Sequence, residues 1–437
     1  MIATFLFLSD FSGQREVYNA NLMSLKNSKS TIMTSCYRSP DASAFITDGG
    51  LLLEPAAVTL RPGGSISLRE TSERNFKLPD IPRLDWAFIV KIIFSLYVIL
   101  LSFEAVSGEK ERGTLGLIMA NTVSRSSVLI GKYISIMAAG LLPLILGMLI
   151  SQVILSLLAP SLLQGIIITR VLLFLLTAAV FLSVFTFLGL LISSLFKRSA
   201  LVLLVLLSVW IFFAFIIPNL SGIIADKMAD IPSERETAKQ IGPMIQQEVW
   251  KRIAAVIERA NKGEFTTKEE ILKETDAAFE EGQARVRQYY ENFRNAMRQR
   301  QYFARNLSRI SPVALFQFAS EAIADSGPER QQRFLADIHN YSQGYDDYIR
   351  RKLGEVVAPS VYSFSTSMNF KGEHVNIQSP EPREYDGDKA DFPLFTESGI
   401  SPLGNLRAGL LDIGGLLVWN LLLSMLAFIA ISKYDVR

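Results

Sequence analysis

Apolar and polar residues alternate along this chain in long blocks, and the blocks predict its elements. A helix that crosses a bilayer needs about 20 mostly apolar residues. Five blocks meet that demand. Residues 86–103 are interrupted only by Lys91. Residues 133–158 carry no charge and hold Pro143, which predicts a kink. Residues 171–196 and 199–217 are uncharged, and the second block ends at Pro218. Residues 413–432 contain Asn420. Residues 1–8 are apolar but too short to cross. They lack the basic flank and small-residue cleavage site of a signal peptide. Two expectations stand for them: the remnant of a truncated first span, or a short segment lying on the membrane surface.

The polar stretches between the blocks are of two kinds. Residues 218–411 read mainly as helices. Ile241, Ile245, Val249, Ile253 and Ile257 recur every four residues and give one apolar stripe. Thr267 followed by Glu270 is a capping-box pair that starts a second helix, whose apolar face continues through Phe279, Tyr289, Phe293 and Met297. Ser311-Pro312 starts another helix at Val313-Ala314-Leu315-Phe316. Residues 367–398 are rich in Pro, Gly, Asp and Glu and predict an irregular return to the membrane. Residues 9–85 hold short apolar runs broken by Gly49-Gly50 and Pro62-Gly63-Gly64, which predicts short strands and turns. Together, 9–85 and 218–411 predict one α-rich domain on a single side of the membrane. Its aromatic stripes are read as core packing.

Charge sets the orientation. The 104–132 loop carries Lys110, Arg112, Arg125 and Lys132. The turn at 196–199 holds Lys197 and Arg198, and the tail 433–437 holds Lys433 and Arg437. If the spans alternate, all three lie on one side, which the positive-inside bias makes cytoplasmic. The opposite short loop, 159–169, has no Lys or Arg. The two long segments are then extracytoplasmic, and the expected location is the inner (plasma) membrane of a bacterium.

Composition agrees with such a mixed object. Mean hydropathy is +0.27 with 20% charged residues, too apolar for a soluble domain and too charged for a chain lying wholly in lipid. A net charge of +2 leaves no electrostatic footprint for nucleic acid. One cysteine, Cys36, excludes an intrachain disulfide, and two histidines outside any HExxH pattern argue against a zinc or haem enzyme. There is no GxxxxGK[ST] phosphate loop: Gly131-Lys132 is followed by Tyr133 and lacks the upstream glycine. No Ser/His/Asp set can be assembled, which makes an intramembrane enzyme a poor reading.

Polar residues inside spans are functional candidates by default. Lys91 lies near the outer end of its span. It either snorkels to the interface or contacts an anionic substrate. Gln152 and Asn420 suit interhelical hydrogen bonds, with a substrate path as the alternative.

The 104–132 loop is the most informative segment. A simple reversal needs only a few residues. Here Gly108 and Gly113 bracket Glu109-Lys110-Glu111-Arg112, followed by an amphipathic piece at Leu115, Leu117, Ile118 and Met119. Such a piece suits docking in a groove of another protein, or lying on the bilayer surface. The loop resembles that of the ABC-2 type transporter permeases, in the branch around multicopper-enzyme maturation and uncharacterised exporters. The residues that carry this are Glu104, the run from Gly108 through Thr114-Leu115, Ser124-Arg125 and Gly131-Lys132. Tyr37-Arg38-Ser39-Pro40, Arg309-Ile310-Ser311-Pro312 and the tail Lys433-Tyr434-Asp435-Val436-Arg437 also resemble this branch.

The resemblance implies an all-α polytopic exporter fold with six spans per subunit, the first truncated here. It implies two permease subunits, identical or related, and a separate ATPase chain that binds ATP, so that this chain needs no cofactor. The loop would be a coupling helix seated in the ATPase. Its contacts would be Glu104, Glu109, Glu111, Arg112, Thr114 and Arg125, with Leu115 and Leu117 packed behind them. The alternative is a scaffold, in lipid, that passes ATP-driven motion to extracytoplasmic protein partners. No cluster of Met, Cys or His supports a metal site.

Overall fold

The computed structural model describes residues 2–27, 34–49, 57–61, 65–69, 84–120, 124–162, 165–229, 234–353, 365–370, 373–378, 394–399 and 402–433. Helices dominate it. In chain order they are α1 (Ile2–Asn27), α2 (Trp86–Phe88), α3 (Ser95–Ser102), α4 (Ser107–Glu111), α5 (Thr114–Ala120), α6 (Arg125–Leu158), α7 (Gly165–Leu195), α8 (Ser199–Ile211), α9 (Ile217–Ala229), α10 (Glu234–Asn261), α11 (Lys268–Ser308), α12 (Pro312–Ala324), α13 (Pro328–Leu353) and α14 (Pro402–Ser432). Strands β1 (Thr34–Tyr37), β2 (Ala57–Arg61) and β3 (Ser65–Arg69) form an antiparallel sheet, and β4 (Ser365–Phe370) pairs with β5 (Glu373–Gln378) in a hairpin.

Five helices among the described residues are long and apolar enough to cross a membrane: Trp86–Glu111, Arg125–Leu158, Gly165–Leu195, Ser199–Met228 and Gly404–Ser432. They correspond to the five apolar blocks but overrun them. Residues 125–132, expected in the loop, are the first turns of α6. The fourth does not end at Pro218. A π-helical stretch, Phe212–Ile216, precedes the proline, and the helix continues as α9. Proline removes one backbone donor and crowds the preceding turn. A wider π turn accommodates that locally. The first π stretch in chain order, Ile89–Phe94, joins α2 to α3, and Phe212–Ile216 is the second.

The reading of 1–8 as a separate remnant, with strands from residue 9, is corrected by α1. That helix runs unbroken to Asn27. Residues 9–27 are polar but contain no proline and many good helix formers. Near its start, Thr4 donates to Ser151 of α6 at 2.9 Å, and Phe7 meets Phe45 and Phe11.

The bundle is built around α7, which is buried on several faces. Its Phe174, Phe181 and Phe185 are wholly enclosed. It packs against α3, α6, α8, α12 and α14. Small residues set the closest approach. A Cβ on Gly189 would stand 2.5 Å from the Cβ of Ser102 on α3, so α3 and α7 lie in contact through a bare backbone.

Helix α12, expected in the outer domain, is instead part of the bundle core. Phe316 stacks on Phe181 with ring centroids 4.4 Å apart, and Val313, Leu315 and Ile323 join the same apolar cluster. Ser311 caps α12 and donates to the Phe213 carbonyl at 2.6 Å, inside the second π stretch. Arg309, just before it, pairs with the buried Asp412 of α14 at 2.6 Å. Asp325, left-handed at φ 59, ends the helix and faces Arg170 of α7 and Arg333 of α13.

Two smaller cores lie beyond the bundle. In one, Cys36, Val58 and Leu60 of the sheet pack on Phe334 and Ile338 of α13. In the other, α10 and α11 form a long hairpin whose tip holds Ile253, Val256, Ala260, Phe265, Ile271 and Phe279. Of the predicted α10 stripe, Ile253 is buried and Ile257 half-buried, while the side chains of Ile241, Ile245 and Val249 lie outside the described residues. Within 367–398, expected to be irregular, residues 367–370 and 373–378 belong to the antiparallel pair β4–β5, and Val375 closes that tip core. The Thr267–Glu270 capping box is present. At 41 residues, α11 is about 60 Å long. Tyr289 is exposed on it, while Phe293 and Met297 are half-buried. Its lower half packs on α9, with Arg300 paired to Asp226 at 3.1 Å.

The α3–α7 contact gives a direct test. Gly189→Ala forces the two helices apart and should lower the apparent Tm in detergent by several degrees, as overpacking of about 1–3 kcal/mol does. Adding Ser102→Gly should restore most of the loss. Equal Tm values for Gly189→Ala and the unaltered protein would contradict the packing described.

Candidate functional site

The 104–132 segment folds into two short helices set against the ends of the spans. Gly113 adopts φ +73, a left-handed conformation that glycine reaches without strain, and separates α4 from α5. Gly108, expected as a second breaker, lies inside α4.

The α4 helix starts without a local cap, because Val106 has no side-chain acceptor. Ser193 near the end of α7 supplies it. Its Oγ accepts the N–H groups of Val106 at 3.0 Å and Ser107 at 2.8 Å, and donates to the Phe103 carbonyl at 2.8 Å. Ser107 Oγ lies 3.2 Å from Ser199 Oγ at the start of α8. Lys110 donates to the Ser194 carbonyl. Glu111 accepts the Ser199 N–H at 3.2 Å. Lys132 of α6 donates to Glu109 and to the Ala105 carbonyl, both at 2.5 Å. Arg125 at the start of α6 donates to the Ser432 carbonyl at the end of α14. α4, which continues from the first span, is thus bonded to the ends of α6, α7 and α8, and the start of α6 to the end of α14.

This arrangement changes the roles assigned to the charged residues. Glu109 and Glu111 are held within the chain. Arg112 donates through Nε to the Gly108 carbonyl at 3.1 Å but stays exposed. Thr114 donates to the Glu109 carbonyl at 3.4 Å, and Glu104 is exposed. The two leucines part company. Leu115 is 2% exposed and lines a small hollow with Lys110, Lys132 and Ile431 of α14. Leu117, expected to pack behind the charges, is 72% exposed. The physical reason is helix geometry: residues two apart on α5 point to nearly opposite sides, so burying Leu115 turns Leu117 outward.

Lys91, Gln152 and Asn420 are engaged with different elements. Lys91, in the first π stretch, donates to Gln317 of α12 at 2.8 Å. Gln317 in turn donates to Glu321 at 3.0 Å and Thr47 at 3.3 Å. Asn420 donates to the Val180 carbonyl of α7 at 2.8 Å and to Leu416 at 3.0 Å. Both amide atoms of Gln152 are buried without a hydrogen-bond partner among the described residues.

Ser193, Ser194 and Ser199 carry no motif in the sequence. Their only signal is position: small hydroxyl residues at two apolar-block ends that flank a basic turn.

The Lys132–Glu109 pair is part-buried, so removing one partner should cost more than removing both. Lys132→Met alone should destabilise the protein by about 2–3 kcal/mol. Lys132→Met with Glu109→Gln should cost under about 1 kcal/mol. A double-mutant cycle on thermal unfolding checks this, and additive losses would contradict it.

The chain matches the family model described as ABC-2 family transporter protein over residues 3–432. No curated protein matches it. With five helices suited to crossing a membrane, the molecule is a multi-pass membrane protein and a membrane-transport component. The chain belongs to the ABC-2 transporter family, as the permease subunit of an ABC transporter.

Proposed function

We propose that this permease is an exporter subunit driven by a separate ATPase chain that docks on α4 and α5. The observation that carries this reading is the bonding of the short α4 to the ends of α6, α7 and α8, with the start of α6 bonded in turn to the end of α14. A force applied to α4 reaches α3 through the chain, α6 through Lys132, α7 through Ser193 and α8 through Glu111. ATP would close the ATPase chains, the docked segment would follow, and the spans would tilt between access states. ATP is held by the partner, in line with the missing phosphate loop in this chain. Leu117 of α5 is exposed to water, and exposed Arg112 lies five residues before it, across the Gly113 break. An apolar anchor beside a cation suits a groove on a partner.

By the charge bias of the short loops, this surface faces the cytoplasm of a bacterium, and α10, α11 and α13 with the two sheets lie outside. Two permease subunits, identical or related, would complete the transporter within the lipid. A second reading is favoured by α11. A helix about 60 Å long, based on the bundle, suits a scaffold that passes motion to an extracytoplasmic protein partner without moving a small molecule.

The test is purification of the tagged full chain from its native membrane in mild detergent. A co-purifying, vanadate-sensitive ATPase is expected. Leu117→Asp should reduce its recovery by at least about tenfold, as loss of an interface anchor does. The exposed position should leave folding intact. If α5 only lies on the bilayer, ATPase recovery will not respond to Leu117→Asp, and the docking assignment fails.

A further inference from the structure

Two helices meet at this surface, and each starts on a residue that cannot cap it. The position before α4 is Val106, and that before α8 is Arg198. Neither makes a side-chain cap bond. The first N–H groups of a helix need an acceptor, and an unpaired one is costly where water is scarce. The two helices obtain acceptors through each other's neighbourhood. Ser193, six residues before α8, takes two N–H groups at the start of α4. Glu111, at the end of α4, takes the first N–H of α8. The hydroxyls of Ser107 and Ser199 lie 3.2 Å apart between them. Moving α4 off the α7–α8 turn would strip acceptors from both helices at once.

We propose that α4 and the α7–α8 turn form one rigid block, held by these exchanged caps, and that the ATPase reads both parts. Lys197 and Arg198 on the turn are exposed, as is Arg112 on α4. Arg198 and Arg112 both act on the Glu111 carboxylate, and Lys197 acts on Lys110, so the charges share one patch. The partner surface that fits is acidic around an apolar socket for Leu117. Ser193 and Glu111 are positioning residues: they hold the block together. This inference rests on the ATPase-docking reading above.

The experiment uses the complete complex. Lys197→Glu with Arg198→Glu should weaken ATPase association by at least about tenfold and flatten its salt dependence. Lys197→Ser with Arg198→Ser removes the charges while giving α8 a cap of its own, so folding is protected. It should weaken association in the same direction. Unchanged association in both variants, with Leu117→Asp still disruptive, overturns the composite surface and leaves the docking reading standing. Absence of any ATPase with the unaltered chain overturns both.

Rigidity is read separately. Ser193→Ala removes the hydroxyl that caps α4 and leaves the exposed charges in place. If the caps hold the block, amide hydrogen exchange of α4 in the complete complex rises at least about tenfold in this variant. Unchanged exchange shows that the caps do not hold α4 to the α7–α8 turn and overturns the block.

Discussion

Helix ends inside or beside lipid must find hydrogen-bond partners from the protein itself, since hydrocarbon supplies none. Much of this architecture answers that demand. Asp85 caps the first span by accepting the Phe88 N–H at 2.6 Å. Ser193 caps α4, and Glu111 serves α8. Arg125 takes a free carbonyl at the end of α14. Ser311 takes the Phe213 carbonyl where the π stretch loosens the ladder. Apart from the local Asp85 cap, each bond joins elements far apart in sequence, so satisfying the ends also fixes how the spans pack. The polar groups that close the helices are thereby the groups that couple them.

The same demand explains why α12 sits in the bundle rather than outside it. A helix with Val313, Leu315, Phe316 and Ile323 buried against α7 and α14 needs its ends paired nearby, and Ser311 and Asp325 do this. Around it the charges are matched. Glu321 receives Arg305 at 2.8 Å and Gln317 at 3.0 Å, although burial raises its carboxyl above the ordinary range. Further out, burial pushes the Glu397 carboxyl up, but Arg330 and the Ser39 donors outweigh it and hold it below its ordinary value. Arg330 also meets Asp41 at 3.3 Å, which ties the first outer segment to α13 and to the return strand of chain before α14. These ion pairs pin the outer parts to one another, and Asp325, set between Arg170 of α7 and Arg333 of α13, pins them to the bundle.

What could be read from sequence follows from which constraints are local. Lipid demands some 20 apolar residues per crossing, and that alone exposes the five spans at 86–103, 133–158, 171–196, 199–217 and 413–432. The capping box at Thr267 and Glu270 is local too, and it is present. Polar helical extensions are not local. Residues 9–27 continue α1 and 218–229 continue the fourth span as helix, although their polar composition carries no span signal. Pro218 reads as a stop only if the π stretch before it is unknown. In the 104–132 segment the charge pattern does not say which charges face outward. The fold brings Lys132 beside Glu109 and Ser199 beside Glu111, and Glu111 stays exposed. Leu115 and Leu117 are equivalent in sequence, and only the placement of α14 and α6 around Leu115 separates them.

One continuous line of structure connects the two ends of the molecule, and it bears on both proposed readings. The start of α8 is bonded to α4 through Glu111. From there the chain runs as a single 30-residue helix, Ser199–Met228, about 45 Å long. Its far part, α9, packs on the lower half of α11, where Arg300 meets Asp226. The upper half of α11 carries the hairpin tip with its own core. In the docking reading, a displacement imposed at α4 enters α8 directly and leaves through α9 into α11. The one irregular point on that line is the π stretch at Phe212–Ile216, and it is there that Ser311 anchors α12. A π turn is the place where a long helix bends most readily. Bending there would move α12 within the bundle, as transport requires. A straight helix would instead carry the displacement outward to the arm, as a scaffold requires. The balance between exporter and scaffold therefore lies in the stiffness of five residues and in the single hydroxyl that holds α12 to them.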